Sequence, residues 1–598
     1  MLDSGRVREF GSISLVAAVA AALSVATCTP AAQAPEGATT AATHSPSGEV
    51  TSNILRADYA GSDACKGCHA DLYASWMQSP MHNMTRSATE AKIVAPFDGR
   101  VFKFQDDSAR LETKGARRFV AIESARYGSK TYKVTKVIGG HYREDFVGVE
   151  VASASPDAAL VEGAMAEEVV LPVSFLLGPQ TFRYKGYSVM LKERDGLRAG
   201  PVWKKTCIFC HNTPPYFSIA LGALAGSEAR PYQGEIVDTL LPPYRRVHFE
   251  VTSESAVRTA LTTEIGHLHN RGAEDETSLS FEQTALKAVN ATRANFDAKH
   301  LLEVGIGCEA CHGGSREHVQ NTNTKPSFSP RALGLRVAGA DKQTRTQQIN
   351  RTCARCHQVL FSQYPFTWEG GARAVAASGA AGGSNINSGE GRDFLLGGCA
   401  SEMSCATCHD PHAREGRARI KELETTPAGD AICTSCHKQF GGVEAVRAHT
   451  KHDPIGEGSH CINCHMPKKN MSLDSRLTRY HRISSPTDPA RVERDRPLEC
   501  ALCHADKSVA TILSDTKRLW NKSYDETKMR ALYGDLGDNA LVATLRLGKP
   551  HEQAVALHGL GEARMRSAVP LISAQLTHPY PIVRPYAEAA LAKIEGRP

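Results

Sequence analysis

The sequence predicts a mainly α fold with little regular secondary structure, a β-rich insertion near the N-terminus and a short α-helical C-terminal domain. Three patterns predict it. Cys-x-x-Cys-His occurs eight times, six of them between Cys308 and His504. Segments such as RRFVAIES and KTYKVTKVIGG alternate or are β-branched, the mark of half-buried strands. Residues 523–598 hold no cysteine and carry apolar side chains at helical spacing.

In chain order, residues 1–28 read as an export leader. Arg6 and Arg8 precede the apolar run ISLVAAVAAALSVA, which is too short and wrongly flanked for a spanning helix. Val25-Ala26-Thr27-Cys28 resembles a lipobox, whose cysteine becomes a lipidated N-terminus, although Thr27 departs from the usual Gly, Ala or Ser. A soluble exported protein is the alternative. Residues 29–59, rich in Ala, Thr, Ser and Pro, read as a flexible tether. Residues 60–304 form a two-motif region holding the β-rich insertion at about 92–200. Residues 305–520 form a six-motif domain, with a Gly- and Ala-rich loop at 370–398. Residues 521–598 form the helical domain, where HPYPIVRPYAEAALAKI is similar to a HEAT repeat.

The eight motifs are CKGCH (Cys65, Cys68, His69), CIFCH (Cys207, Cys210, His211), CEACH (Cys308, Cys311, His312) and CARCH (Cys353, Cys356, His357). CATCH (Cys405, Cys408, His409), CTSCH (Cys433, Cys436, His437), CINCH (Cys461, Cys464, His465) and CALCH (Cys500, Cys503, His504) follow. They use 16 of the 18 cysteines and leave only Cys28 and Cys399. Cys-x-x-Cys-His attaches c-type haem: two thiols add to the two vinyl groups of one porphyrin, and the histidine becomes the proximal iron ligand. Zinc ribbons do not place a histidine directly after each second cysteine. Thioredoxin-like sites use one Cys-x-x-Cys, and a disulfide framework does not repeat one spacing. The cofactor expectation is therefore eight covalently bound haem c groups with their iron.

Six motifs in residues 308–504 leave about 33 residues each, too few for an ordinary side-chain core. The fold there is expected to be a covalent haem array, with the porphyrins as core and neighbours close together. The net charge of +6 does not signal nucleic-acid binding, because the haem propionates would take an oxidised chain to about −2.

Eight irons call for second ligands. His82, His141, His248, His300, His318, His412, His449 and His481 are expected to supply them, with His452, His267 and His269 as competitors. His412 lies three residues past His409 and leaves from the same side of that ring, so it should reach a neighbouring iron; His318, six past His312, follows the same logic. His460 is pinned beside Cys461, and His551, His558 and His578 read as surface residues of the tail.

The chain resembles the multihaem c-type cytochromes, the broad group that includes tetrahaem cytochromes and octahaem oxidoreductases. The resemblance covers roughly residues 61–520 and is carried by CKGCHADLYASWMQSPMH, CEACHGGSREH, CATCHDPH, CINCHMPKK and CALCHADKSVATILSDTKRLW. It implies that a histidine at the His82, His318 or His412 position supplies a distal iron bond. It also leaves two functions open. In one, the protein is an exported, periplasmic or membrane-anchored electron carrier. It would work between a quinol-side donor and a downstream cytochrome or reductase, and touch the membrane through a lipid on Cys28. In the other, it converts a small nitrogen or sulfur compound at one open-faced haem. The Cys-x-x-Cys-Lys motif that some relatives use for that haem is absent from the sequence, and no catalytic residue is assigned.

Protein matured in a host competent for haem attachment is expected to carry eight covalent haems, read as the mass increase over the apo chain and by a pyridine-haemochrome count. Six or fewer would overturn the assignment.

Overall fold

A computed structural model describes residues 48–155, 157, 159–160, 167–185, 195–225, 248–273, 278–357, 389–414, 418–471, 476–581 and 583–597. The expected leader, Cys28, His44 and most of the Gly-rich loop lie outside these residues. Residues 45–598 make one compact unit, so the three expected regions from 60 to 598 all fall within it.

Alternating strands build the N-terminal part. β1 (Thr85–Ser87), β2 (Asp98–Phe104), β3 (Asp107–Lys114), β4 (Arg117–Glu123), β5 (Lys130–Gly139), β6 (Arg143–Val151), β7 (Val169–Leu176) and β8 (Thr181–Tyr184) form one sheet. The path from β2 to β8 is an antiparallel meander, and β1 pairs with β5. In β3 the burial alternates along DSARLETK, so Ala109 and Leu111 face the core, while β7, apolar except for Ser174, is buried nearly throughout. The two ends of the meander approach each other, and Phe104 on β2 stacks on Tyr184 of β8 at 4.0 Å and 11°. The sheet thus curls almost onto itself around Leu111, Phe146, Leu171 and Phe175.

Beside the sheet, the helices Glu254–Leu268 and Phe281–Asn295 pack together with Trp203, Phe217 and Leu261. Ser253 and Ser280 cap their N-termini through side-chain oxygens, which satisfies otherwise orphan N–H groups. The C-terminal helices Val509–Trp520, Glu526–Tyr533, Ala540–Leu547, Pro550–Glu562 and Arg584–Glu595 enclose a third apolar cluster around Leu541, Val555, Leu557 and Ile572. No helix among the described residues is long and apolar enough to cross a membrane.

Between these clusters the ordinary core runs out. Between Val337 and Met471 the only buried apolar side chains among the described residues are Phe394, Ala400, Leu423 and Pro467. A stretch this long with so few cannot hold itself together by hydrophobic burial.

Three expectations change. The tether expected through residue 59 ends earlier. Val50, Ile54 and Tyr59 are buried, and the Asn53 amide donates to the carbonyls of Ser327 and Ser329 at 2.9 and 3.1 Å. Polar neighbours masked these three side chains in the composition. The loop expected over 370–398 holds the helix Glu390–Leu396. His551, expected at the surface, is fully buried in the helix Pro550–Glu562.

A buried ionic network ties the C-terminal helices to the motif region. Lys469 Nζ lies 2.6 Å from Asp495 Oδ2 and 3.9 Å from Glu499, and Arg496 Nε lies 3.0 Å from the fully buried Glu552. Burial pushes the Asp495 carboxyl up to about 6, against the pull of Lys469. Lys469→Met takes from the buried Asp495 the amine that lies 2.6 Å away and is expected to cost about 3–5 kcal/mol of unfolding free energy. Lys469→Arg is expected to lose less. Chemical denaturation of the haem-loaded protein checks both, with exposed Lys522→Met as a control expected to stay within about 0.5 kcal/mol.

Candidate haem-binding cavity

Each motif folds as one helical turn. The N–H of the histidine donates to the carbonyl of the first cysteine four residues earlier. His69, His211, His357, His409, His437 and His504 do so at 2.8–3.1 Å. Cys308–His312 and Cys461–His465 are helical over the whole motif. Positions i, i+3 and i+4 of a helical turn share one face, so both thiols and the imidazole point the same way. Nearby polar groups fix the turns in space. The buried Asn350 accepts the Cys405 N–H at 2.8 Å and donates to the carbonyls of Ala400 and Met403. Asp430 accepts the Cys461 N–H at 2.8 Å, and Glu309 accepts the N–H groups of Ala60, Gly61 and Ser315.

All sixteen motif cysteines and all eight motif histidines line one continuous cavity of about 3950 Å³. That is several times the space taken by one drug-sized ligand. The cavity accounts for the missing core between Val337 and Met471.

Five of the motif histidines face a second histidine across this space. The ring centroids are 6.4 Å apart for His69 and His318, 6.2 Å for His312 and His412, and 6.2 Å for His409 and His481. They are 6.1 Å apart for His465 and His449, and 6.0 Å for His504 and His452. Two metal–nitrogen bonds of about 2 Å, with a ring centre about 1.2 Å behind each nitrogen, require about 6.4 Å. The five gaps therefore fit an iron between two imidazoles.

Ring tautomers agree. Nδ1 of His318 lies 2.7 Å from the Thr324 carbonyl, that of His452 2.6 Å from Thr450, that of His465 2.9 Å from Ser484, and that of His481 3.0 Å from Arg479. A carbonyl only accepts, so Nδ1 carries the hydrogen and the Nε2 lone pair stays available to a metal. Burial pushes the His312 and His409 rings down to about 4, which keeps them neutral.

His449 and His452 show how the chain serves two gaps from one place. His449 sits in the last turn of the helix Val443–Thr450. The C-cap Lys451 then takes a left-handed conformation, φ 61°, and His452 leaves in another direction. The expectation had His452 only as a competitor. Its signal was the His-x-x-His spacing at a helix end, which local sequence does not separate from chance.

The motifs also touch one another. The thiols of Cys65 and Cys308 are in contact, as are those of Cys210 and Cys356, Cys353 and Cys405, and Cys433 and Cys461. Cys311 feels the charge of Cys353, Cys408 that of Cys433, and Cys464 and Cys500 that of each other's motif. The succession runs CKGCH, CEACH, CARCH, CATCH, CTSCH, CINCH, CALCH, and CIFCH joins it at CARCH.

His211, His357 and His437 face no histidine ring among the described residues. Glu390 stands 3.6 Å from Nδ1 of His357, and its carboxylate holds that ring up at about 9. Burial pushes His211 down to about 4, with Lys185 acting the same way. His211 lies against the rim of the sheet, where Asp145 pairs with Lys185 and, at 3.1 Å, with Arg143. Burial alone would raise the Asp145 carboxyl, but these two cations hold it well below the usual range. His141, Tyr142, Arg183 and Tyr184 line the cavity wall on the same rim.

Of the eight histidines expected as distal ligands, the structure brings His318, His412, His449 and His481 opposite motif histidines and places the other four elsewhere. His82 packs edge-on against Trp76 at 4.4 Å. His141 lies on the sheet rim against Tyr142. His248 is exposed next to the strand Phe249–Val251. His300 is buried at right angles to His267, 5.4 Å away, and Asp297 holds its Nδ1 at 3.0 Å. Sequence spacing carries no information about which way these four segments turn. His460 lines the cavity with its Nδ1 2.8 Å from Asp430. Cys399 sits within reach of the charges of Cys433 and Cys436, and burial pushes its thiol up.

Residues 398–442, which carry CATCH and CTSCH, match the family described as a doubled CXXCH motif. This match and the eight Cys-x-x-Cys-His motifs support a multihaem c-type cytochrome. Covalently bound haem c is the group that its cysteine turns and paired imidazoles fit. Over 191 residues the chain is 24% identical to the dissimilatory sulfite reductase MccA of Wolinella succinogenes, a match that covers 28% of this chain and 23% of that protein. The crystal structure of Outer Cell Wall Cytochrome OcwA aligns with a TM-score of 0.39 at 16% identity, over 90% of this chain and 100% of that one.

His412→Ala is expected to leave the covalent haem count unchanged and to turn one ferric haem from low-spin to high-spin. His452→Ala is expected to do the same to a different haem, so the double variant should show two. Electron paramagnetic resonance reads both. No new high-spin signal from His412→Ala would remove its ring from the set of iron ligands.

Proposed function

We propose that this cytochrome transfers electrons along eight closely spaced haems, most of them held by two histidines. The observation that supports the reading is the contact between the attachment cysteines of successive motifs, from Cys65 against Cys308 to Cys433 against Cys461. Bound haem supplies a one-electron iron couple. The chain's own residues do the rest. Each contacting cysteine pair presses two attachment sites edge to edge. Each facing histidine pair, His69 with His318, His312 with His412, His409 with His481, His465 with His449 and His504 with His452, would supply two imidazole ligands to one iron in either oxidation state. The carbonyls of Thr324, Thr450, Ser484 and Arg479 hold four of those rings in orientation. Export through the leader, a lipid on Cys28, and partner redox proteins at either end of the succession belong to the same proposal.

A second reading has a specific observation behind it. His211 faces no histidine among the described residues, and the sheet rim beside it carries Arg143, Arg183, Lys185 and two tyrosines. Cations and hydroxyl donors at an open iron face suit a small oxyanion, and the MccA relative is a sulfite reductase by name. On this reading the rim cations would orient the anion and Tyr142 or Tyr184 would supply a proton.

Rapid mixing separates the two. With less than one electron per molecule from a fast reductant, the conduit reading expects all haem bands to settle to their equilibrium distribution within the mixing time. Slow, separate phases for individual haems would overturn it. Reoxidation of the fully reduced protein by sulfite, lost in Lys185→Met with the haem count intact, is the outcome that would establish the second reading.

A further inference from the structure

We infer that Arg355 sets the reduction potential at the place where three attachment motifs meet. Arg355 lies between the two cysteines of CARCH, the motif that CIFCH joins. Its Nη2 donates to the Ala310 carbonyl inside CEACH at 2.8 Å. Its guanidinium carbon lies 4.7 Å over the ring of the buried Tyr216, at the start of the helix that follows CIFCH. One planar cation therefore bridges segments belonging to three motifs. Its charge also reaches four of their thiols: Cys210 of CIFCH, Cys311 of CEACH, and Cys353 and Cys356 of its own motif. The buried Tyr59 feels it as well, together with Glu309, Asp58 and Arg56, so the local field is the sum of two arginines and two carboxylates.

The physics is one-directional. A ferric haem that takes one electron becomes ferrous, and its site loses one unit of positive charge. A fixed cation a short distance away favours the product of that change, and does so more in a water-poor cavity than in bulk solvent. Arg355 thus raises the potential of the haems on its own motif and on those beside it. Its place at CARCH means that one residue biases the point where the CIFCH branch meets the main succession. It acts through the field at the haems and touches no reacting atom, so it is a positioning residue.

The test uses the fully haem-loaded protein and dissolved redox mediators, with no partner and no substrate. Its result therefore bears on Arg355 whatever the mixing experiment returns. In a spectroelectrochemical titration, Arg355→Met is expected to shift the one-electron equilibrium at least tenfold, ~59 mV downward, in a fraction of the α-band amplitude no larger than the share of three haems in eight. Arg355→Lys keeps the charge and is expected to titrate close to wild type. Arg355→Gln, which keeps a donor for the Ala310 carbonyl but no charge, is expected to follow the Met variant. Neutral variants that titrate as wild type would overturn the inference. A Lys variant displaced as far as the Met variant would overturn it too, because packing and not charge would then be responsible. Loss of haem from both neutral variants would likewise make Arg355 a structural staple only.

Discussion

The motif-bearing half of this protein depends on one distance, the 6.0–6.4 Å between paired imidazole rings. That spacing matches two iron–nitrogen bonds end to end. It recurs five times with partners drawn from separate parts of the chain, His69 with His318 and His312 with His412 among them. With iron bound, each such pair would close a loop, as a disulfide or a structural metal does, and binding free energy in such a site is folding free energy. The local features around the pairs serve this distance. Carbonyls orient the rings, Lys451 turns the chain between His449 and His452, and Asn350 seats the CATCH turn.

Apolar packing is distributed accordingly. The curled sheet, the helical pair beside it and the C-terminal helices each have a conventional core, while the chain between Val337 and Met471 has almost none. Stability there must come from cofactor surface and iron bonds, with the flanking cores acting as rigid ends. The buried network of Lys469, Asp495, Arg496 and Glu552 joins the last motifs to the C-terminal end. Because these charges are out of water, they specify one arrangement of the two parts rather than simply adding stability.

Electrostatics divides the cavity. Around the five histidine pairs, backbone carbonyls turn four of the rings. Around His211 the sheet contributes Arg143, Lys185 and Asp145, and at CARCH Arg355 projects its charge toward three motifs. The CIFCH and CARCH turns come together through the contact of Cys210 with Cys356. Positive charge thus stands at the branch, where both an electron route and an anion site would benefit from it, while other cations such as Arg419, Arg479 and Lys507 line the cavity farther along.

What the sequence determined by itself is what short-range chemistry determines. Five consecutive residues are enough to attach a haem, so all eight Cys-x-x-Cys-His motifs were legible, as were strands whose alternation is set by a two-residue period. His412 was expected to serve a neighbouring iron because three residues are too few to round a porphyrin, and its ring does lie opposite His312. Composition misled where a few apolar residues sit among polar ones, as at Val50, Ile54 and Tyr59. Only the tertiary structure decided which histidine faces which. The pairing of His452 with His504, the turning away of His82, His248 and His300, and the joining of CIFCH to CARCH all depend on segments far apart in the chain. A metal gap constrains the distance between two side chains and is indifferent to the number of residues between them, so no local pattern records it.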